Sequence, residues 1–159
     1  MPLLEVSHLR VDLHTHRGTA AAVRDMTFTL DRGETLGLIG ESGCGKSMTA
    51  LALMGLAPEN ATDSGSLKLE GRELIGLRDR DRRAIRGYQV AMIFQEPMTA
   101  LNPVHRVGAQ IAEPLRLHQN LSGSAAREKA IALLDRVGIP DAARRVDSYP
   151  HQFSGGQRQ

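Results

Sequence analysis

Cysteine is nearly missing from this 159-residue chain. Cys44 stands alone, so no internal disulfide can form, and such usage suits a reducing compartment. Tryptophan is absent, and the aromatic residues are Phe28, Tyr88, Phe94, Tyr149 and Phe153. Surfaces that stack nucleic-acid bases need aromatics clustered beside basic residues. These five do not cluster, so no nucleic-acid partner is expected. Neither sign of charge dominates: 20 Lys and Arg face 18 Asp and Glu, a net +2. No apolar run approaches the ~18 residues of a membrane helix. The N-terminus also lacks the charged-then-apolar pattern of a leader. The expectation is a cytoplasmic chain that meets a membrane only through a partner. Its 41% apolar content suffices for a packed core of one-domain size.

What is present is glycine in a particular arrangement. Gly40-Glu41-Ser42-Gly43-Cys44-Gly45-Lys46-Ser47 fits G-x-x-x-x-G-K-[ST], the phosphate-cradling P-loop. Its glycines let the backbone curl so that several N–H groups face one point, and a following helix adds its positive end. In that motif Lys46 reaches the β- and γ-phosphates and the Ser47 hydroxyl ligates Mg²⁺. A chain of this length matches by accident about once in two hundred. The flanks strengthen the match. Residues 34–39 read as a short buried strand. Residues 48–54 read as a helix ended by Gly55 and Pro58.

Elsewhere, Leu9, Val11 and Leu13 alternate with polar residues, as do Met26, Phe28 and Leu30. They predict antiparallel strands within residues 3–31, with a turn near Arg17–Ala20. Leu67 and Leu69 mark another strand, closed by Gly71-Arg72. The charge run 78–83 reads as a solvated helical face. Val90–Phe94 is a continuous apolar run, the pattern of a strand buried on both faces, and it ends at Gln95. Beyond it, Pro97, Pro103 and Pro114 punctuate a loop and then helices. Val107, Ile111 and Leu115 share one helix face. Residues 125–137 form the clearest helix, stopped by Gly138. Near the end, Ser154-Gly155-Gly156-Gln157 suggests a second helix start, with Ser154 capping it or contacting an oxyanion.

Taken in order, a P-loop, an apolar strand ending in Gln, a helical stretch and Ser-Gly-Gly-Gln resemble the ATP-binding cassette family of transporter ATPases. The resemblance covers about Leu4 to Gln159. Met92–Pro103 and Tyr149–Gln152 are similar to its dipeptide, oligopeptide and nickel importer branch. The resemblance implies an α/β fold: a P-loop NTPase core with an antiparallel β subdomain and a mostly helical subdomain. Residues 1–95 would hold the β subdomain and core, 96–153 the Q-loop and helical subdomain, and 154–159 the start of the signature helix. It implies ATP and Mg²⁺ as cofactors. The expected nucleotide contacts are Gly40, Glu41, Ser42, Gly43, Cys44, Gly45, Lys46, Ser47 and Met48. Lys46 and Gln95 would be catalytic, and Ser47 and Gln95 would face the metal. Ser154, Gly155, Gly156 and Gln157 would touch the nucleotide of a second cassette, the same chain or a paralogue. Further partners would be transmembrane permease subunits and, indirectly, an extracytoplasmic solute-binding protein, at the cytoplasmic face of the inner membrane. The implied activity is ATP hydrolysis coupled to uptake of peptides or related small solutes. Non-transport ABC proteins share the P-loop and signature. P-loop kinases and GTPases leave residues 154–157 unexplained.

Two departures stand out. Family members stack adenine on an aromatic residue, and here the matching stretch is His14-Thr15-His16-Arg17-Gly18. His16 or Arg17 is left for that role. His14 and His16 lack a third metal ligand and read as surface or base-contacting residues. In the family, the Walker B strand, its Asp, the catalytic Glu, the D-loop and the switch His all follow the position of Gln159. A C-terminally truncated sequence is therefore expected, in which His151 is not the switch His and no carboxylate inherits the base role. Cys44 reads either as a tolerated small residue or as a thiol whose alkylation blocks nucleotide access. These 159 residues alone are expected not to hydrolyse ATP. Steady phosphate release by a soluble monomer would contradict that.

Overall fold

A computed structural model describes residues 2–94 and 100–159, so Gln95 and its expected role lie outside the described residues. The chain divides into two compact units, Met1–Met92 and Ile93–Gln159. Among the described residues no helix is long and apolar enough to cross a membrane.

The first unit is built on an antiparallel sheet of order β2-β1-β3-β4, with β1 Leu4–Thr15, β2 Gly18–Leu30, β3 Ala61–Leu69 and β4 Arg72–Glu73. Alternation explains most of it: Leu9, Val11, Val23, Leu67 and Leu69 turn inward. Strict alternation would put Val6 on the opposite face from Leu9, yet both are fully buried. A bulge at Ser7–His8 shifts the register against both neighbouring strands and resets the inward face, with His8 at φ 51°. Helix α1, Lys46–Met54, packs on β1 and β2, and Ala52 joins the core. Helix α2, Asp79–Ile85, adds Ile85.

Two strand expectations are corrected. Residues 34–39 and 91–94 carry no strand, and Val90 makes only an isolated bridge to Arg86. Ile39 and Ile93 are 99% and 95% exposed. An extended apolar run becomes a strand only where a neighbour offers a matching row of backbone donors and acceptors. The four-stranded sheet offers none to either segment.

The second unit is helical. It contains α3 Val107–Gln119, α4 Gly123–Arg136, α5 Ala142–Arg145, a 3₁₀ turn Pro150–Gln152 and α6 Gly155–Arg158. Val107, Ala130, Leu134, Ile139, Ala142, Val146 and Phe153 form its core. Pro114 lies within α3 instead of interrupting it. The missing N–H costs one helical bond. Packing of α3 on α4, with Val107 and Leu115 buried, holds the helix through it. Ser122 caps α4 by accepting from the Ala125 amide.

One carboxylate ties β3 to β4. Glu73 accepts from the Ser66 hydroxyl at 2.6 Å and from the amides of Leu67, Leu74 and Ile75 at 2.9, 3.1 and 3.0 Å. Burial pushes its pKa up, but these bonds outweigh burial and hold it below the ordinary glutamate value. A depressed folded pKa contributes stability above the unfolded value, which is lost as pH falls through the folded one. Stability should therefore decline on acidification below about pH 4.3. Glu73→Gln should be less stable at pH 7 and show a flatter decline. Urea titrations at stepped pH check this, and an unchanged slope in the variant would refute it.

Candidate functional site

The loop Gly40–Ser47 closes on itself through its lysine. Lys46 Nζ donates to the carbonyls of Gly40 at 2.6 Å and Glu41 at 2.7 Å, and lies 3.3 Å from Cys44 Sγ. The Cys44 amide donates to the Glu41 carbonyl at 3.4 Å. Gly40, Glu41, Cys44 and Lys46 are thus brought together, with Gly43 and Gly45 supplying positive φ of 81° and 96°. A Cβ on Gly45 would stand 2.5 Å from the Ala22 carbonyl oxygen, so only glycine lets the loop lie against β2. A Cβ on Gly40 would stand 2.5 Å from Cys44 Sγ. The thiol therefore fills the space that a side chain at residue 40 would need.

Helix α1 starts at Lys46, with Gly45 as its cap. Its first amides have no intrahelical acceptor, as at every helix start. Thr49, fully buried, anchors the start by donating its hydroxyl and amide to the Gly45 carbonyl at 3.0 and 2.8 Å. Ser42 and Ser47 are exposed and Met48 is half-buried. The donor set is helix-start amides, one ammonium and the Ser47 hydroxyl. It suits an oxyanion carrying a divalent cation, and its residues fit such a group.

The opposite end of α1 uses residues that sequence reading missed. Gly55 and Leu56 amides satisfy the carbonyls of Ala52 and Leu51. Two arginines on and beside α2 add side-chain donors, one of them to the Ala52 carbonyl as a second partner. Arg82 Nη1 donates to the Ala52 carbonyl at 3.0 Å. Arg86 donates from Nε to Met54 and from Nη2 to Gly55, each at 3.0 Å. The side chain of Arg82 is 10% exposed, which corrects the reading of 78–83 as a wholly solvated face. The only sequence signal was the i, i+4 spacing of Arg82 and Arg86. Nothing local named the helix end they would meet.

In the second unit, Ser154 caps α6. Its Oγ accepts from the Gln157 amide at 3.3 Å, while Gln157 Oε1 accepts from the Ser154 amide at 3.0 Å. Gly155 and Gly156 occupy the first two helical positions and are exposed. The histidines separate. His14 bridges three strands, its ring nitrogens 3.0 Å from the hydroxyls of Thr19 and Thr62, whereas His16 sits exposed in the hairpin turn. Among the described residues, no three His, Cys, Asp or Glu are grouped to hold a metal.

This geometry can be set beside known proteins. Residues 23–159 match the family model described as ABC transporter, and the chain belongs to that family. A Brucella abortus (strain 2308) relative, provisionally named a peptide import ATP-binding protein, is 56% identical over 99% of this chain and 48% of its own length. The oligopeptide transport ATP-binding protein OppD of Salmonella typhimurium is 51% identical over 99% of this chain and 47% of its own. The chain thus spans about half the length of the curated relatives it matches. A solved dimeric ATP-binding cassette, in a post-hydrolysis state with ADP and Pi, shares the fold. Its TM-score is 0.79 at 20% identity, over 98% of this chain and 65% of that one. The α/β P-loop NTPase assignment therefore holds, with its antiparallel and helical parts.

Arg82→Ala should destabilise the first unit by about 2 kcal/mol, because the Ala52 carbonyl loses a charged donor in a nearly buried place. Chemical denaturation reads this. A loss below ~0.5 kcal/mol, the scale of an ordinary surface change, would show that the clamp is incidental.

Proposed function

We propose that this chain is the ATP-binding part of an ABC importer for peptides or related small solutes. The observation that carries the proposal is the closed loop Gly40–Ser47, its lysine held over loop carbonyls at the start of α1. The names of the OppD and Brucella relatives support the importer assignment and the cargo class.

Lys46 and the amides at the start of α1 would bind the β- and γ-phosphates, replacing water by fixed dipoles that need little reorganisation. Ser47, with Gln95, would hold Mg²⁺, which when bound neutralises charge between the phosphates. His16 or Arg17 in the hairpin turn would meet the adenine. Ser154, Gly155, Gly156 and Gln157 would offer donors to a nucleotide held by a second cassette, so that two chains complete each site. Permease subunits would keep the pair at the cytoplasmic face of the membrane, with a solute-binding protein supplying cargo on the other side.

Calorimetry of the full-length protein with Mg·ATP tests the reading. Lys46→Ala should weaken binding at least tenfold, the scale of one lost charged hydrogen bond in a desolvated loop. Equal affinity in a folded variant would remove the phosphate site from residues 40–47.

A further inference from the structure

The Ser154–Gln157 turn is not held by its own capping box alone. Arg145, at the end of α5, donates from Nη2 to Gln157 Oε1 at 3.1 Å. That oxygen already accepts from the Ser154 amide, so both of its lone pairs are engaged and the side-chain amide is fixed with its oxygen toward the turn. The guanidinium carbon lies 4.3 Å from the centre of the Phe153 ring, which is itself buried. Arg158 donates from Nε to the Phe153 carbonyl at 3.0 Å.

Arg145 keeps this place at a cost. Its Nε–H is buried with no acceptor among the described residues. A guanidinium in this setting would be stabilised by a carboxylate that took both nitrogens. A buried donor left unpaired costs free energy and calls for a reason. The ring fixes the plane of the guanidinium, and the plane aims Nη2 at Gln157.

We infer that Arg145 is a positioning residue for the Ser154–Gln157 turn, acting through the Gln157 side chain to hold the turn's amides ready for a nucleotide. This rests on the reading of residues 154–157 as nucleotide-facing. The residue touches no substrate and acts on the geometry of donors that do. Its loss should slow turnover without weakening the nucleotide grip of Gly40–Ser47, because those donors belong to a different set.

The test uses the full-length protein in its assembled transporter and takes two readings. In the first, Arg145→Ala should speed hydrogen exchange at the Ser154 amide about tenfold, with amides of α1 unchanged. In the second, kcat for ATP hydrolysis should fall about tenfold with KM within twofold, as for an interaction that matters only in the assembled state. Gln157→Ala should cause a similar fall. The double variant should be no slower than Gln157→Ala alone, since the arginine then has nothing to act through. Arg145→Lys, which keeps charge but loses the planar stack, should not restore kcat, and it replaces the alanine variant if that fails to fold. Multiplying losses in the double variant, unchanged Ser154 exchange, or a rise in KM at constant kcat would each overturn the inference. A wild type without ATPase activity would instead sink the nucleotide reading, while the exchange measurement would still decide whether Arg145 holds the turn.

Discussion

A helix that presents bare amides to a ligand must be secured everywhere except at that end. This constraint organises the first unit. The start of α1 leaves its first N–H groups without intrahelical partners. Compensation comes from Thr49 below, from Gly45 pressed against the Ala22 carbonyl, and from Arg82 and Arg86 on the far carbonyls. The arginines also place positive charge at the negative end of the helix dipole. The start of α1, with its bare amides, can then stay open without the helix fraying from the other side.

Arginine does comparable work in the second unit. Arg82, Arg86 and Arg145 all direct guanidinium donors to neutral carbonyl oxygens, the first two on the backbone and the third on a side-chain amide. Arg82 and Arg86 also have a carboxylate near, Asp63 at 3.5 Å and Asp79 at 3.9 Å. A fork of fixed donors suits the end of a helix, where two carbonyls emerge side by side, and a lysine's single ammonium would not span them.

What could be read in the sequence follows from how local each cause is. The glycine-rich loop, the stop of α1 at Gly55 and the alternating strands depend on residues close together in the chain and were legible, while α1 starts at Lys46, two residues before the expected 48. The inward reset at Val6 and Leu9 was hidden, because a bulge breaks the period that reveals a strand. Segments 34–39 and 90–94 read as buried strands from composition alone. Composition reports what a segment would do beside a partner, and no ladder partner faces them among the described residues. The arginines were hidden for the complementary reason: a charge run reads as solvated until the helix end it reaches is known.

Residues 34–39 are exposed, and Lys46 is turned inward onto the loop that follows them. With Leu36 and Leu38 42% and 40% exposed, the chain leading into the loop is not held from its own side. The loop is then closed by what it carries. Lys46 has three N–H donors, and the Gly40 and Glu41 carbonyls engage two while the third end lies against Cys44 Sγ. An oxyanion at the start of α1 would compete with those carbonyls for the same ammonium, and charge favours the anion. The carbonyl contacts keep the ammonium at the mouth of the loop, so few side-chain rotamers remain to be lost when an anion arrives. The residue that holds the free loop together is thereby already near the place where a phosphate would need it.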